Sequence, residues 1–223
     1  MNKKNLLNIS LVLNVVLACL CLYLSLSLLK SNETVEVATD SLPALNDNDA
    51  LFMGEARMGD CEWSMLLSDA TCKTLAFNGN TIKGEIERLD QLFQGVSPRK
   101  LFLMYGEQEL LDGCGVGEIS ERYDELVSRL KERFPATECV LISVLPVWKE
   151  TDNEFNLKMS SEIKNLNIFI KSIASRHNYP FVDLYGDLST SEGNLDSRYI
   201  TAFGSQLNYT AYVIIKERLN NFL

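Results

Sequence analysis

The chain has 223 residues, 46% of them hydrophobic, and a formal net charge of −9. This length and composition suffice for one domain with a substantial core. All 30 acidic residues follow residue 30, so the body of the chain is strongly acidic. An acidic body repels phosphate backbones, which argues against a nucleic-acid partner.

The N-terminal segment differs in composition from the rest of the chain. Residues 6–29, which begin at Leu6 and end at Leu29, contain no charged side chain, and about 20 apolar residues can span a bilayer. Two lysines precede this segment, so the positive-inside tendency predicts a cytoplasmic N-terminus (residues 1–5) and a periplasmic or extracellular domain. We interpret the segment as an uncleaved anchor. The alternative is a cleaved signal peptide, or a lipoprotein signal ending at Cys19.

The next residues contain no periodic apolar pattern. Residues 30–48 are polar and acidic, and we predict a tether between the membrane and a domain at residues 49–223. The domain contains short apolar runs that are rich in β-forming residues. In chain order, these are ALFM (50–53), TLAF (74–77), KLFLMY (100–105), CVLISVLPV (139–147) and PFVDLY (180–185). Continuous apolar runs of this length are typical of strands buried on both faces.

Helical periodicity fills the intervals between these strands. Apolar residues recur every three or four positions in residues 81–93, 119–134 and 160–174, and residues 208–223 close the chain as a further helix. Five strands that alternate with helices predict an α/β fold, with an open parallel sheet covered by helices on both faces. Sites in such sheets form beyond the carboxyl ends of the strands.

Four short segments near those strand ends share a pattern with a known family. LFMGEARMGDCEWSMLL spans the first strand and the turn after it, GNTIKGEIERLD follows the second strand, YGEQELLDG follows the third, and FGSQLN precedes the last helix. In this order they resemble the sequence blocks of the SGNH (GDSL-type) hydrolases, which are esterases and acetylhydrolases. The resemblance covers residues 49–223. It implies a flavodoxin-like three-layer α/β/α sandwich with a five-stranded parallel sheet.

The resemblance assigns scaffold and oxyanion positions to individual residues. Gly54 matches the glycine of the G-D-S block, and Gly79 matches the glycine whose N–H contributes to the oxyanion hole. Gln108 stands for the oxyanion Asn and is one methylene longer, while Glu109 stands for the Asp that follows it. Because an oxyanion donor must lie within about 2.7–3.1 Å of its target, the added length argues against the same role for Gln108.

The reactive positions depart from the family pattern. Glu55 stands for the Asp of the G-D-S block, and Ala56 stands for the nucleophilic Ser. In the last block, Phe203 replaces the catalytic Asp and Gln206 replaces the His. Acyl transfer needs a nucleophile and a base, and neither an alanine methyl nor a glutamine amide can serve near neutral pH. The resemblance therefore implies a hydrolase relative without its proton-transfer groups.

Other residues could replace the missing groups only by a different arrangement. Cys61 lies five residues after Ala56, inside the expected helix, and a thiolate there would need a partner. The single histidine precedes the fifth strand, at the opposite end of the sheet, and we interpret it as a surface residue. A carboxylate mechanism is an alternative, because Glu55, Glu107 and Glu109 follow neighbouring strands of this fold.

The cysteines indicate no metal site. No C-x-x-C pair or Cys/His cluster occurs, so we predict neither a metal nor another cofactor. If a disulfide forms, we expect Cys61 with Cys114, because the resemblance places both near the carboxyl edge of the sheet. The alternative is that the four cysteines of the domain are small buried apolar residues.

Together these features predict a membrane-anchored, catalytically inactive relative of the SGNH hydrolases. We expect its degenerate pocket to bind an envelope glycan, an acylated polymer or a partner protein. The pocket comprises Gly54, Glu55, Ala56, Gly79, Gln108, Glu109, Phe203 and Gln206. The alternatives are an active hydrolase that uses the three glutamates, and an assembly protein in which the pocket is vestigial.

Overall fold

The computed structural model describes residues 43–148, 154–201 and 206–223, and only the backbone of residues 154–156. None of the helices in these ranges has the length and apolar character needed to cross a bilayer. The anchor predicted for residues 6–29 lies outside the described residues. The end of the predicted tether lies within them: Asp47 accepts a hydrogen bond from the Ser97 N–H at 2.8 Å, so this part of the chain packs against the domain.

The sheet has five strands, all parallel, in the order β2-β1-β3-β4-β5. The strands are β1 Ala50–Gly54, β2 Cys72–Thr74, β3 Lys100–Met104, β4 Glu138–Ile142 and β5 Phe181–Val182. The predicted α/β class and the neighbouring positions of the first and third strands are confirmed. Gly54 pairs with Met104, so the carboxyl ends of β1 and β3 meet at one edge of the sheet.

Helices connect the strands and cover both faces of the sheet. They are α1 Ala56–Gly59, α2 Trp63–Leu66, α3 Ile82–Leu92, α4 Glu107–Leu111, α5 Val116–Arg133, α6 Glu154–His177, α7 Leu184–Leu188 and α8 Tyr209–Leu219, with 3-10 turns at Ser197–Tyr199 and Asn220–Phe222. The four long helices correspond to the four predicted segments. The short helices lie at the carboxyl edge, where they form the turns that follow β1, β3 and β5.

An aromatic stack fills the first face of the sheet. The ring of Phe52 in β1 stacks between two other rings. Its centroid lies 4.3 Å from that of Trp63 in α2 and 4.5 Å from that of Phe102 in β3. The indole N–H of Trp63 donates to the Met58 carbonyl at 2.8 Å, which satisfies its polar atom inside the core. The α1, α2, α7 and α8 helices supply the rest of this layer. Trp63 is therefore a packing residue of the core.

The second face is covered by α3, α5 and α6, with α5 in contact with both of the others. The apolar stripe predicted for α5 is buried, and so is the stripe of α6. In α3, Ile82 and Leu89 are buried and Ile86 is half-buried, while the carboxylate of Glu85 occupies a fully buried position. Glu85 thus brings a charge into a layer that the periodicity predicted to be apolar.

The expected disulfide is not formed, since Cys61, Cys72, Cys114 and Cys139 are all free. Cys61 is buried in the aromatic layer on the first face of the sheet. Cys114 belongs to the other side, where its sulfur accepts a long contact of 3.9 Å from Arg122 of α5. The pairing was expected only if a disulfide forms, and it considered the edge of the sheet and not the face. Cys61, Cys72 and Cys139 instead match the alternative of small buried residues.

Candidate functional site

Two glycines allow the chain to turn at the carboxyl edge. A Cβ atom on Gly54 would lie 2.3 Å from the carbonyl oxygen of Met104, so only glycine lets β1 and β3 approach this closely at their ends. Gly106 has φ of +125°, and a Cβ there would lie 2.5 Å from Leu166 of α6. These close approaches bring the residues after β1 next to the residues after β3.

Glu55 joins the two strand ends directly. Its Oε1 accepts a hydrogen bond from the Gly106 N–H at 2.6 Å, and its Oε2 accepts one from the Glu107 N–H at 3.1 Å. The side chain is 7% exposed. Burial raises the pKa of the Glu55 carboxyl well above its ordinary value, and the nearby Glu109 and Glu107 carboxylates raise it further. The residue therefore acts as a connection between β1 and α4.

Glu109 extends this connection to α3. Its Oε1 accepts a hydrogen bond from the Ile82 N–H at 2.6 Å, and the side chain is 2% exposed. Glu109 lies in the first turn of α4, the same helix beginning whose N–H groups bind Glu55. Burial raises the pKa of Glu109 as well. The structure thus brings Glu55 and Glu109 together, as their positions after neighbouring strands indicated, but inside the protein rather than on an open surface.

Asn80 attaches the turn after β2 to the same edge. Its side-chain amide donates to the Gly54 carbonyl and to Glu85 Oε2, each at 2.9 Å. The preceding residue, Gly79, is exposed and has φ of +77°, with no atom within 4 Å of the place a Cβ would occupy. The backbone of Gly79 is therefore exposed beside the end of β1.

Ala56 is the first residue of α1 and is half-buried. Its backbone N–H has no acceptor in the described part of the chain, and the same is true of Gly79. The next residue, Arg57, reaches across the edge of the sheet. Its guanidinium donates to the Pro146 carbonyl at 2.8 Å and forms an ion pair with Glu107 at 3.1 Å. Glu107 is thus engaged by a cation, apart from the Glu55 and Glu109 pair.

The two glutamines at family positions do not converge on Ala56 through any contact in the described residues. The Gln108 side chain donates to Asp112 at 2.9 Å, one turn along α4. Gln206 is exposed. Its backbone carbonyl, not its side chain, accepts a hydrogen bond from the Thr201 N–H at 2.9 Å. Phe203 lies outside the described residues. The longer side chain of Gln108 therefore finds a partner on its own helix.

Cys61 and His177 are not placed to replace the serine and histidine. Burial raises the pKa of the Cys61 thiol to about 12, so a thiolate is disfavoured there. His177 lies at the end of α6, ahead of β5, and its Nε2 is 2.8 Å from Asp124 of α5. It is partly exposed in this pair and lies at the predicted opposite end of the sheet.

The structure also bears on whether the site could hold a metal ion or a ligand ring. Within the described ranges, no cluster of three or more His, Cys, Asp or Glu side chains has the arrangement to hold a metal ion. Trp148, after β4, packs partly buried against the aromatic core, which favours a packing role over a ligand platform.

The sequence profile of the GDSL-like lipase/acylhydrolase family matches residues 48–202. The chain belongs to this family. The matched residues end before the block that contains Phe203 and Gln206. No match was found among curated proteins.

Solved structures of the same fold agree with the family assignment. A Streptococcus pneumoniae protein proposed to be a platelet activating factor is 21% identical, with 92% of this chain and 98% of that chain covered and a TM-score of 0.71. A GDSL-like lipase from Bacteroides thetaiotaomicron is 18% identical, with 82% and 90% covered and a TM-score of 0.66. An acetyl-xylooligosaccharide esterase from Geobacillus, solved as a mutant, is 14% identical, with 79% and 94% covered and a TM-score of 0.60.

Three residues of the site were not identified from the sequence. Arg57, Asn80 and Glu85 hold the strand ends in place through buried or largely buried polar contacts. One signal was present: Glu85 is an acid on the apolar stripe of α3, and a charge in such a position is buried only with partners. The role of Arg57 depends on Pro146, 89 positions later, and no local pattern indicates it.

Proposed function

We propose that this member of the GDSL-like lipase/acylhydrolase family is catalytically inactive and binds an acylated envelope glycan at the carboxyl edge of its sheet. The observation that carries this proposal is Ala56, which occupies the turn after β1 where the family resemblance assigns the nucleophile. Its side chain cannot attack a carbonyl carbon. The buried Cys61 and the distant His177 offer no replacement.

The choice of ligand rests on backbone donors. The N–H groups of Ala56 and Gly79 lack acceptors within the described ranges and flank the end of β1. Donors of this kind suit the carbonyl oxygen of an acetyl or acyl ester. Exported members of the family often act on acetylated sugars, and one structural neighbour is an acetyl-xylooligosaccharide esterase. An acetylated glycan is therefore the ligand that we propose.

A single substitution can remove one donor with little effect on the fold. Position 56 is the first residue of a helix, where proline is tolerated, and Glu55 before it has the extended backbone that proline requires (φ −103°, ψ −170°). We expect Ala56→Pro to weaken binding of an acetylated xylo-oligosaccharide about fivefold to tenfold, the cost of one hydrogen bond. The measurement is calorimetric titration of the full-length protein in mild detergent.

The matched control is Ala56→Gly, which keeps the N–H and should bind nearly as tightly as the parent. The deacetylated oligosaccharide should bind more weakly to both. Equal affinities of the proline and glycine variants would contradict the proposed role of the donor. Failure of the parent to bind the acetylated glycan would favour a partner protein as the ligand.

The carboxylate mechanism has less support. A general acid or nucleophile must be free to reach its substrate. The oxygens of Glu55 accept backbone hydrogen bonds, Glu109 is 2% exposed, and Glu107 pairs with Arg57. These contacts favour structural roles for all three glutamates.

We also propose that residues 6–29 anchor the protein and place the domain in the periplasm or outside the cell. The support is the uncharged apolar composition of this segment and the two lysines before it. An uncleaved anchor should keep the full-length protein in the membrane pellet during alkaline carbonate extraction. Release of the intact domain into the supernatant would contradict the proposal, and replacement of residues 6–29 by a cleavable signal peptide provides the control.

A further inference from the structure

Two buried carboxyl groups lie at the beginning of α4, beneath the candidate site, and neither pairs with a cation in the described residues. Glu55 follows β1 and Glu109 lies in α4, and both side chains are less than a tenth exposed. No ion pair involves either residue in the described part of the chain, where Arg57 pairs with Glu107 and Arg88 pairs with Glu85. Two ionised carboxylates in such a place would repel each other and lose their hydration.

The hydrogen bonds distinguish the two members of the pair. Both oxygens of Glu55 accept backbone N–H groups, which favours its ionised form. Glu109 accepts one N–H at Oε1, and its Oε2 is buried without a donor. One proton held between Glu109 and Glu55 would give that unsatisfied oxygen a partner, since a carboxylic acid can donate where a carboxylate only accepts. The geometry thus has a place for one proton.

Every element around the pair contributes titratable or charged groups, and none of them cancels the repulsion. Arg57 of α1 forms an ion pair with Glu107 of α4. Asp112, at the end of α4, accepts a hydrogen bond from Gln108. From α3 come Glu85 and Arg88, which form their own ion pair. The end of β3 contributes Tyr105, whose hydroxyl donates to Glu85, and α5 contributes Tyr123, whose hydroxyl donates to the Leu103 carbonyl.

We propose that Glu55 and Glu109 share a single proton and form a pH-sensitive latch that holds the turn after β1 against the beginnings of α3 and α4. With the proton present, Glu109 binds Ile82 and Glu55 at the same time, so three elements are joined at the candidate site. Loss of the proton places two adjacent negative charges in the interior. The turn that carries Ala56 then loosens, and ligand affinity should fall together with stability.

The direction of the pH effect follows from where the proton is held. Burial raises the pKa of both carboxyls in the folded state above the ordinary value of 4.5. Between the ordinary pKa and the raised one, the folded protein binds more protons than the unfolded chain, so the free energy of unfolding decreases as the pH rises. The stabilisation is complete below about pH 4.5 and is lost as the pH passes the folded pKa of the pair.

The window from pH 5 to pH 8 isolates this effect from other shifted groups. Asp69 and Asp196 have lowered pKa values and act at more acidic pH. Burial raises the pKa of Cys61 to about 12 and that of Cys72 to about 11, so they act at more alkaline pH. A difference between variants inside the window therefore reports the pair.

The test is the thermal unfolding temperature of the full-length protein from pH 5 to pH 8, compared with Glu109→Gln. The glutamine oxygen can still accept from Ile82, and its NH₂ can donate to Glu55, so the variant imitates the protonated state. We expect the Tm of the parent to fall by about 3–5 °C per pH unit over part of this range. Glu109→Gln should show a shallower slope there and a higher Tm at pH 8.

The matched control is Glu87→Gln on the exposed side of α3, which removes one charge and should keep the slope of the parent. Infrared spectroscopy of the unmodified protein provides a second measurement that does not depend on any variant folding. The band of a protonated carboxyl group should persist at pH 6 in the parent and disappear when both Glu55 and Glu109 are replaced by Gln. Absence of that band in the folded parent, or equal slopes for the parent and Glu109→Gln, would overturn the proposal.

Discussion

Asn80 is a buried amide that holds the end of β1 through its own side chain. It donates to the Gly54 carbonyl and to Glu85, while Glu85 also accepts from Tyr105 and Arg88. Glu85 is fully buried, and its charge is stabilised only by these donors. The position of the Gly79 turn therefore depends on the amide of the neighbouring residue.

We expect Asn80→Asp to be the most damaging small change near the site. A carboxylate at position 80 would face the Gly54 carbonyl and the Glu85 carboxylate, so two attractive contacts would become repulsive. The expected loss in the free energy of unfolding is about 3–5 kcal/mol, against about 1–3 kcal/mol for Asn80→Ala. Urea unfolding of the full-length protein measures both, with the exposed Asn78→Asp as the control. An Asp variant no less stable than the Ala variant would contradict this role.

At the scale of elements, continuous apolar runs located four of the five strands, and the run at 74–77 overlaps β2 only at Thr74. The run at 74–77 was expected to be a strand, whereas β2 ends at Thr74. Its later residues still follow β1, since Leu75 donates to Phe52 at 2.8 Å and Phe77 to Gly54 at 3.4 Å. Hydrophobicity indicates burial in such a segment and does not distinguish a regular ladder from an irregular one.

The end of β4 shows the same distinction between burial and strand pairing. A strand was predicted at 139–147, but β4 ends at Ile142. Beyond it, the buried Val144 donates its backbone N–H to the Asn167 side chain of α6 and accepts a hydrogen bond from the same side chain at its carbonyl. The short helices α1, α4 and α7 gave no periodic signal, because four or five residues cannot display one. Element existence was predictable from composition and period, and the element ends depended on distant partners.

At the scale of the whole molecule, the parallel topology made the proximity of the site residues predictable. The carboxyl ends of β1 and β3 are adjacent, so Glu55 and Glu109 could be expected to lie close together. Their burial, the ion pair between Arg57 and Glu107, and the turn of Gln108 toward Asp112 could not be predicted. These features are set by side-chain conformations and by contacts between layers, which no sequence spacing encodes.

The architecture also separates the groups that could have supplied an alternative mechanism. Cys61 lies in the layer on the first face of the sheet, and His177 pairs with Asp124 ahead of β5, at the opposite end from Ala56. A nucleophile and its base must be within hydrogen-bonding distance of each other to work together. This separation supports our proposal that the chain keeps the framework of an acyl hydrolase without its proton-transfer groups.

Hydrolysis of p-nitrophenyl acetate by the full-length protein tests this account most directly. We predict that the unmodified chain shows no turnover above the uncatalysed rate, and that the combined variant Ala56→Ser, Phe203→Asp and Gln206→His gains weak but measurable esterase activity. The account would be contradicted if the unmodified chain showed turnover that a single substitution in the candidate site abolishes. A folded triple variant that remains inactive would also contradict it.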